Sequence, residues 1–282
     1  MMSDSNGLLK LRRISKVFSK GTVDQVRALD KIDLDVNSGD YITIIGSNGA
    51  GKTTLLNIIA GVYPPENGGK ILVNGRDVGG LSEYKRAGYI GRVYQDPHVG
   101  TAAKMTVEEN MAMALLRGRP RGLRVASNKQ RREVFHSALA PLGLGLEDRL
   151  TALVGTLSGG QRQALALIMA TLSKPAILLL DEHLATLDPR TAQIVLDLTD
   201  MVVTQEKMTT VMVTHNMELA LRHGNRLIMM HKGRIVVDMN QEQRSDLTVH
   251  DLVVAFERAS GEEFVDDSVL LRPGDVVGTS DL

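Results

Sequence analysis

The chain has 282 residues, of which 43% are hydrophobic, enough to bury the core of one large domain or two unequal ones. Its 33 basic residues equal its 33 acidic ones, so the net charge gives no reason to expect nucleic-acid binding. The lack of cysteine excludes disulfides and thiolate metal sites, and no apolar run reaches the roughly 18 residues of a bilayer span. We expect a cytosolic protein that meets a membrane only through a partner.

The first part of the chain is predicted to form short strands separated by turns. Residues 7–18 are typical of a strand, residues 28–36 alternate apolar and polar positions, and residues 41–46 form an apolar run. A helical pattern follows at 53–60, and residues 70–78 are typical of a hairpin around an Asn-Gly turn. These patterns predict an N-terminal antiparallel β subdomain that leads into an α/β core.

Helical patterns replace strand patterns between about residues 97 and 172. Residues 106–118, 128–143 and 156–172 are each predicted to be helical. The basic run at 117–124 is either a solvated loop or a phosphate-binding patch.

The second half of the chain alternates strands and helices. Apolar runs at 176–183 and 209–215 are typical of strands buried on both faces, with a helix at 188–207 between them. A further helix at 217–224 and strands within 226–239 follow. This alternation predicts an α/β fold with a mainly parallel sheet.

The sequence GSNGAGKT, at residues 46–53, fits the P-loop pattern and falls between a predicted strand and a predicted helix. Its glycines let backbone N–H groups point at a phosphate, which also meets the positive end of the following helix. Lys52 is predicted to reach the β- and γ-phosphates and Thr53 to bind Mg²⁺. The alternative is a glycine-rich turn that contains Lys-Thr by chance.

Asp181 and Glu182 end one buried strand, and His215 ends another. We assign Asp181 to Mg²⁺, Glu182 to the attacking water and His215 to sensing the γ-phosphate, because the carboxyl ends of parallel strands share one edge of a sheet. The alternatives are an acid pair that caps the next helix and a structural histidine.

The stretch TLSGGQRQALALIMATL begins a predicted helix with two adjacent glycines. Ser158 and Gln161 have the spacing of a capping box, which specifies a helix start. Gly159 and Gly160 are not explained by capping, because glycine weakens a first helical turn. Bare backbone at a helix N-terminus indicates an anion site.

This stretch contains LSGGQ, at residues 157–161, and resembles the signature motif of ATP-binding cassette ATPases. The resemblance extends over about residues 8–256, with the motifs in the family's order. Gln95 matches the Q-loop, Asp188 ends the D-loop, and His215 matches the switch histidine. Departures such as His183, where many cassettes have proline, remove no catalytic group.

The resemblance implies a P-loop NTPase core in which two cassettes associate head to tail, most simply as a homodimer, with ATP between one P-loop and the partner's signature. The implied ATP contacts are Phe18 (on adenine), Gly46, Ser47, Asn48, Gly49, Ala50, Gly51, Lys52, Thr53, Thr54, Ser158, Gly159, Gly160, Gln161 and Asp188. The implied Mg²⁺ ligands are Thr53, Gln95 and Asp181, and the implied catalytic residues are Glu182, His215 and Gln95.

The resemblance also implies an ATPase domain at 8–245, with the helical signature subdomain at 97–172 inserted in it. A short helix and a flexible acidic tail are expected at 246–282. The implied partners are membrane permease subunits, with an extracytoplasmic substrate-binding protein, which puts the chain at the cytoplasmic face of the membrane. An importer of an amino acid or a similar small solute is the leading interpretation, and the alternatives are an exporter, a non-transport cassette or a P-loop kinase or GTPase-like switch.

Overall fold

The computed structural model describes residues 7–66, 68–118 and 128–261. The strands are β1 Leu9–Phe18, β2 Val26–Val36, β3 Tyr41–Ile45, β4 Lys70–Val73, β5 Arg76–Asp77, β6 Ile90–Val93, β7 Ile177–Asp181, β8 Thr209–Val213, β9 Arg226–His231 and β10 Arg234–Asn240. The helices are α1 Lys52–Ala60, α2 Glu83–Arg86, α3 Pro97–Gly100, α4 Val107–Leu115, α5 Lys129–Leu139, α6 Gly159–Thr171, α7 Pro189–Gln205, α8 Met217–Arg222, α9 Gln241–Arg244 and α10 Val249–Ser260.

The smaller sheet is antiparallel and has the strand order β2-β1-β4-β5. The predicted hairpin is confirmed, since β4 and β5 pair across Asn74 and Gly75, whose φ angles are 49° and 75°. Positive φ at both turn residues suits the right-handed twist of the strands and explains the Asn-Gly sequence. The predicted N-terminal antiparallel sheet is therefore present.

The larger sheet has the order β10-β9-β3-β8-β7-β6, and all of its neighbours are parallel except β9 and β10. Its strands β3, β7 and β8 are buried at every position, as their apolar runs predict. Ile177 and Leu179 pack into a core shared with the small sheet and α1, whereas Leu178 and Leu180 pack toward α4 and α6. The predicted α/β fold is confirmed.

Strand β6 is absent from the sequence prediction. Gly91 and Arg92 interrupt its apolar pattern, so a four-residue strand there has no clear local signal. A Cβ added at Gly91 would lie 2.4 Å from the carbonyl oxygen of Ala170, so α6 packs directly on this strand. The strand is specified by tertiary packing.

The segment predicted to be helical contains α3 to α6. The helix predicted at 128–143 ends at Leu139 and continues as the 3₁₀ turn Ala140–Leu142, which includes a proline. Most of the basic run at 117–124 and the acidic tail beyond residue 261 lie outside the described residues. Among the helices that the structure describes, none is long and apolar enough to cross a membrane.

Candidate functional site

The predicted P-loop joins β3 to α1. Gly46, Gly49 and Gly51 have φ angles of 152°, 77° and 98°, which side-chain-bearing residues rarely adopt. A Cβ at Gly46 would lie 2.1 Å from the carbonyl oxygen of Met230, and one at Gly51 would lie 2.4 Å from that of Ala28. Packing and conformation therefore both require glycine at these two positions, and the loop presents the N-terminus of α1 to an anion.

Lys52 lies inside this loop. Its side chain is buried, and its Nζ donates hydrogen bonds to the carbonyl oxygens of Gly46 and Ser47. Asn48 and Gly49, at the outer turn of the loop, are exposed. An anion that enters the loop from solvent therefore meets a preformed positive charge.

Thr53 and Asp181 connect the P-loop to the end of β7. The Thr53 hydroxyl lies 3.3 Å from Asp181 Oδ1, and the other carboxylate oxygen, Oδ2, accepts a hydrogen bond from Arg92 at 2.8 Å. A hydroxyl and one carboxylate are hard oxygen donors, and they fit Mg²⁺ bound together with substrate phosphates. Among the described residues, no group of three or more acidic or histidine side chains could hold a metal. An ion that binds mainly through substrate phosphates does not need such a group.

Glu182 and His215 form a close pair at the same edge of the sheet. His215 Nε2 lies 2.6 Å from Glu182 Oε1. The two residues meet because β7 and β8 pair in parallel with Asp181 opposite Val213. Glu182 has a φ of 47°, uncommon outside glycine, which turns the chain sharply at the strand end. The Glu182 carboxylate is mostly buried, and a carboxylate is a group that can accept a proton from water.

His183, the residue after Glu182, contacts α7. Its imidazole is buried, and its Nε2 lies 3.2 Å from the Thr199 hydroxyl. Burial lowers the pKa of His183 to about 4, and the nearby Asp200 carboxylate partly opposes this shift. The sequence marks His183 only as a departure from the family pattern, whereas the structure gives it a packing role beside Glu182.

The buried His183 predicts a pH-dependent stability. Its folded-state pKa is below the unfolded value of about 6.5, so as the pH falls the unfolded chain takes up the proton first. The resulting stabilisation is complete above about pH 6.5 and is lost toward about pH 4, with a loss of about 2 kcal/mol by about pH 5.

Urea unfolding without metal or nucleotide measures this loss. We expect His183→Gln to lack this share of the pH dependence. The control variant His136→Gln, which changes an exposed histidine, should retain it. Identical pH profiles for wild type and His183→Gln contradict the prediction.

Gln95 and Asp188 lie in exposed turns. The carbonyl oxygen of Gln95 accepts a hydrogen bond from the Thr186 hydroxyl at 3.4 Å, so the turn after β6 contacts the segment after the acidic pair. Asp188 is the N-cap of α7 and accepts a hydrogen bond from the Thr191 N–H at 3.1 Å. Hydrogen bonds from Thr191 hold the pKa of Asp188 below its ordinary value.

The predicted capping box of the signature stretch is confirmed. Ser158 Oγ accepts from the N–H of Gln161, and Gln161 Oε1 accepts from the N–H of Ser158, both at 3.2 Å. Gly160 has a second explanation in the structure, because a Cβ there would lie 2.2 Å from Thr191 Cγ2. Close packing of α6 against α7 therefore favours glycine at position 160 whether or not an anion binds there. Gly159 is exposed with room for a side chain, so packing does not explain this glycine.

Phe18 lies at the end of β1 beside two residues that the sequence did not single out. Tyr63 contacts its ring edge to face, with 5.3 Å between centroids, and Lys16 Nζ lies 5.5 Å from the centroids of both rings. Arg92 was likewise not predicted. No sequence motif marks Tyr63, Lys16 or Arg92. Their roles depend on neighbours that are distant in the sequence.

The chain is similar to known proteins along most of its length. A family model described as ABC transporter matches residues 29–185, more than half of the chain. A tyrosine transport ATP-binding protein of Clostridioides difficile (strain R20291) is 42% identical over 252 residues, 89% of this chain and 100% of that protein. The lipoprotein-releasing system ATP-binding protein LolD of Rickettsia bellii (strain RML369-C) is 38% identical over 223 residues, 77% of this chain and 93% of that protein.

Among solved structures, the dimeric post-hydrolysis state of the ATP-binding cassette MJ0796 bound to ADP and Pi is similar in fold. Its TM-score is 0.71 at 27% identity, covering 83% of this chain and 98% of that one.

Proposed function

The chain belongs to the ABC transporter family of ATP-binding cassettes, and we propose that it is the ATP-hydrolysing subunit of a membrane importer. The family hydrolyses ATP to energise transport, so the chain is an ATPase. The observation that carries the site assignment is the meeting of the P-loop with two strand ends, through the Thr53–Asp181 contact of 3.3 Å and the Glu182–His215 contact of 2.6 Å.

The P-loop binds the triphosphate of ATP. The backbone N–H groups of residues 46–54 donate to phosphate oxygens, and the Lys52 ammonium exchanges its loop carbonyl partners for the β- and γ-phosphates. Thr53, Asp181 and Gln95 would hold Mg²⁺, and the bound ion would neutralise part of the phosphate charge. Phe18 stacks on adenine, with Tyr63 and Lys16 fixing the orientation of its ring.

Glu182 acts as the general base. As the water oxygen attacks the γ-phosphorus, a water proton passes to the Glu182 carboxylate, and the bond to the bridging oxygen breaks to release ADP. His215, at 2.6 Å from Glu182, keeps the carboxylate oriented and contacts the γ-phosphate when ATP is present. The mostly buried position of Glu182 supports this role, since water exclusion strengthens such contacts.

A second copy of the chain completes each site. Ser158, Gly160 and Gln161 of one copy contact the γ-phosphate bound by the other, and Asp188 acts across the same interface. The exposed start of α6 supports this proposal, because the first N–H groups of a helix have no partner within it. The related cassette MJ0796 was solved as a dimer with ADP and Pi.

A cleft of about 390 Å³ between α2, α3 and α4 is the proposed docking site for the membrane subunit. Tyr84, Val99 and Met113 line it and are 62%, 65% and 40% exposed, although all three are large and apolar. Exposed apolar side chains around a cleft favour a partner that covers them. We propose that a helix of the permease binds there, at the cytoplasmic face of the membrane.

The proposed substrate is an amino acid or a similar small solute, delivered by an extracytoplasmic binding protein. The identity to a tyrosine transport protein over its full length supports this substrate class. The alternative is that the transporter releases a lipid-linked substrate. The similarity to an ATP-binding protein of a lipoprotein-releasing system supports this alternative.

Reconstitution with the membrane subunit tests the direction of transport. The permease that co-purifies with this chain is inserted in proteoliposomes, with labelled tyrosine and its binding protein on the outside and ATP on the inside. We expect ATP-dependent accumulation of label and an ATPase activity that rises with the loaded binding protein. Lys52→Ala should abolish both. If the loaded binding protein does not change the ATPase activity but a lipoprotein raises it, the importer assignment is wrong.

A further inference from the structure

Arg92, in the middle of β6, contacts the central carboxylate of the site. Its Nη2 donates to Asp181 Oδ2 at 2.8 Å, and its Nη1 donates to the side-chain oxygen of Asn57 at 2.7 Å. The guanidinium carbon lies 4.5 Å from the centroid of the Tyr94 ring. The side chains of Arg92 and Asp181 are each only 9% exposed, so this ion pair is shielded from water.

The two oxygens of Asp181 have different partners. Oδ1 lies next to the Thr53 hydroxyl on the P-loop side, whereas Oδ2 is bound by Arg92. A carboxylate is planar, so fixing Oδ2 also fixes the direction of Oδ1. Arg92 therefore holds the carboxylate so that its second oxygen lies on the side of Thr53.

A mostly buried carboxylate also needs a counter-charge at every stage of the ATPase cycle. A buried charge without a partner is unfavourable, and Arg92 supplies the partner whenever Mg²⁺ is absent. The guanidinium is held by Asn57 and Tyr94 as well, so its position does not depend on the carboxylate alone. It can remain on Oδ2 while a metal binds on the side of Oδ1.

We propose that Arg92 is a positioning residue that orients Asp181 toward Mg²⁺ and balances its charge between nucleotide-binding events. This inference rests on the proposed function, in which Asp181 holds the metal. Repulsion between Arg92 and Mg²⁺ opposes metal binding, but the two cations use opposite oxygens of the carboxylate. Orientation therefore outweighs repulsion, and loss of Arg92 weakens metal binding.

The test measures Mn²⁺ binding to the ATP-loaded full chain by electron paramagnetic resonance, in a Glu182→Gln background that prevents turnover. Arg92→Met is expected to weaken Mn²⁺ binding by about 10-fold or more, the usual cost of losing a partner of a metal ligand. ATP affinity measured in EDTA should stay within about twofold of the parent. A general loss of structure would lower that metal-free affinity as well.

Arg12→Met is the matched control, because Arg12 forms a similar ion pair with Asp35 at 2.6 Å but on the exposed small sheet. It should leave both constants unchanged. Arg92→Lys guards against misfolding of the Met variant. It is expected to bind Mn²⁺ several-fold more weakly than the parent, because an ammonium does not reproduce the planar two-partner geometry of a guanidinium.

Asp181→Asn separates this inference from the proposed function. If Asp181→Asn weakens Mn²⁺ binding while Arg92→Met leaves it unchanged or tightens it, the positioning role is wrong and the metal assignment stands. If Arg92→Lys binds Mn²⁺ as tightly as the parent, the positioning role of the planar guanidinium is also wrong. If Asp181→Asn itself has no effect, the metal assignment in the proposed function fails.

Discussion

Replacing Glu182 with glutamine is expected to lower kcat by roughly 10²- to 10⁴-fold, the usual contribution of a general base. The amide has nearly the same shape as the carboxylate but cannot accept the proton of the attacking water. ATP binding should persist, because Lys52 and the P-loop are untouched. With hydrolysis blocked, ATP should hold two chains together as a closed dimer.

Steady-state ATPase assays and size-exclusion chromatography in ATP and Mg²⁺ measure these effects. The control variant Glu206→Gln, which changes an exposed glutamate paired with Lys174, should behave as wild type in both. Turnover within about threefold of wild type in Glu182→Gln would falsify the general-base assignment.

Mixing two inactive variants, Ser158→Arg and Lys52→Ala, is expected to restore ATPase activity. Each mixed dimer combines the intact Lys52 of one chain with the intact Ser158 of the other, so one of its two sites is complete. Equal amounts that pair at random should give about a quarter of the wild-type activity if the sites act independently. Each variant alone should be inactive, since every site in it lacks one half.

The complementation needs a control for dimer exchange. Tagged and untagged chains that co-elute show that mixed dimers form under the assay conditions. A mixture of Lys52→Ala with Lys52→Ala,Ser158→Arg should stay inactive, because it contains no intact Lys52. Absence of activity despite demonstrated mixed dimers would rule out a site shared between chains.

The sequence predicted most of the fold because most elements have strong local signals. The continuous apolar runs of β7 and β8 predict strands buried on both faces, and both are buried throughout. The Ser158–Gln161 capping box likewise depends only on neighbours along the chain. Strand β6 was missed because its glycine is explained only by the close approach of α6.

The residues of the candidate site show the same contrast between local sequence signals and tertiary packing. The P-loop was identified from its sequence because each of its glycines has a positive φ angle, a local backbone conformation that favours glycine. The packing reason for Gly160 was missed because the Thr191 methyl group that a side chain would meet belongs to another helix. Capping and conformation are local, whereas exclusion by packing is not.

By itself the sequence determined the family, the α/β fold and the motifs to which we assign phosphate binding, because these depend on spacing and on periodicity along the chain. Only the tertiary structure decided which side chains surround those motifs. It brought Arg92 to 2.8 Å from Asp181, His183 onto Thr199, and Tyr63 against Phe18. The physical reason is that each contact joins residues far apart in the chain, so its partner is selected by the packing of whole elements.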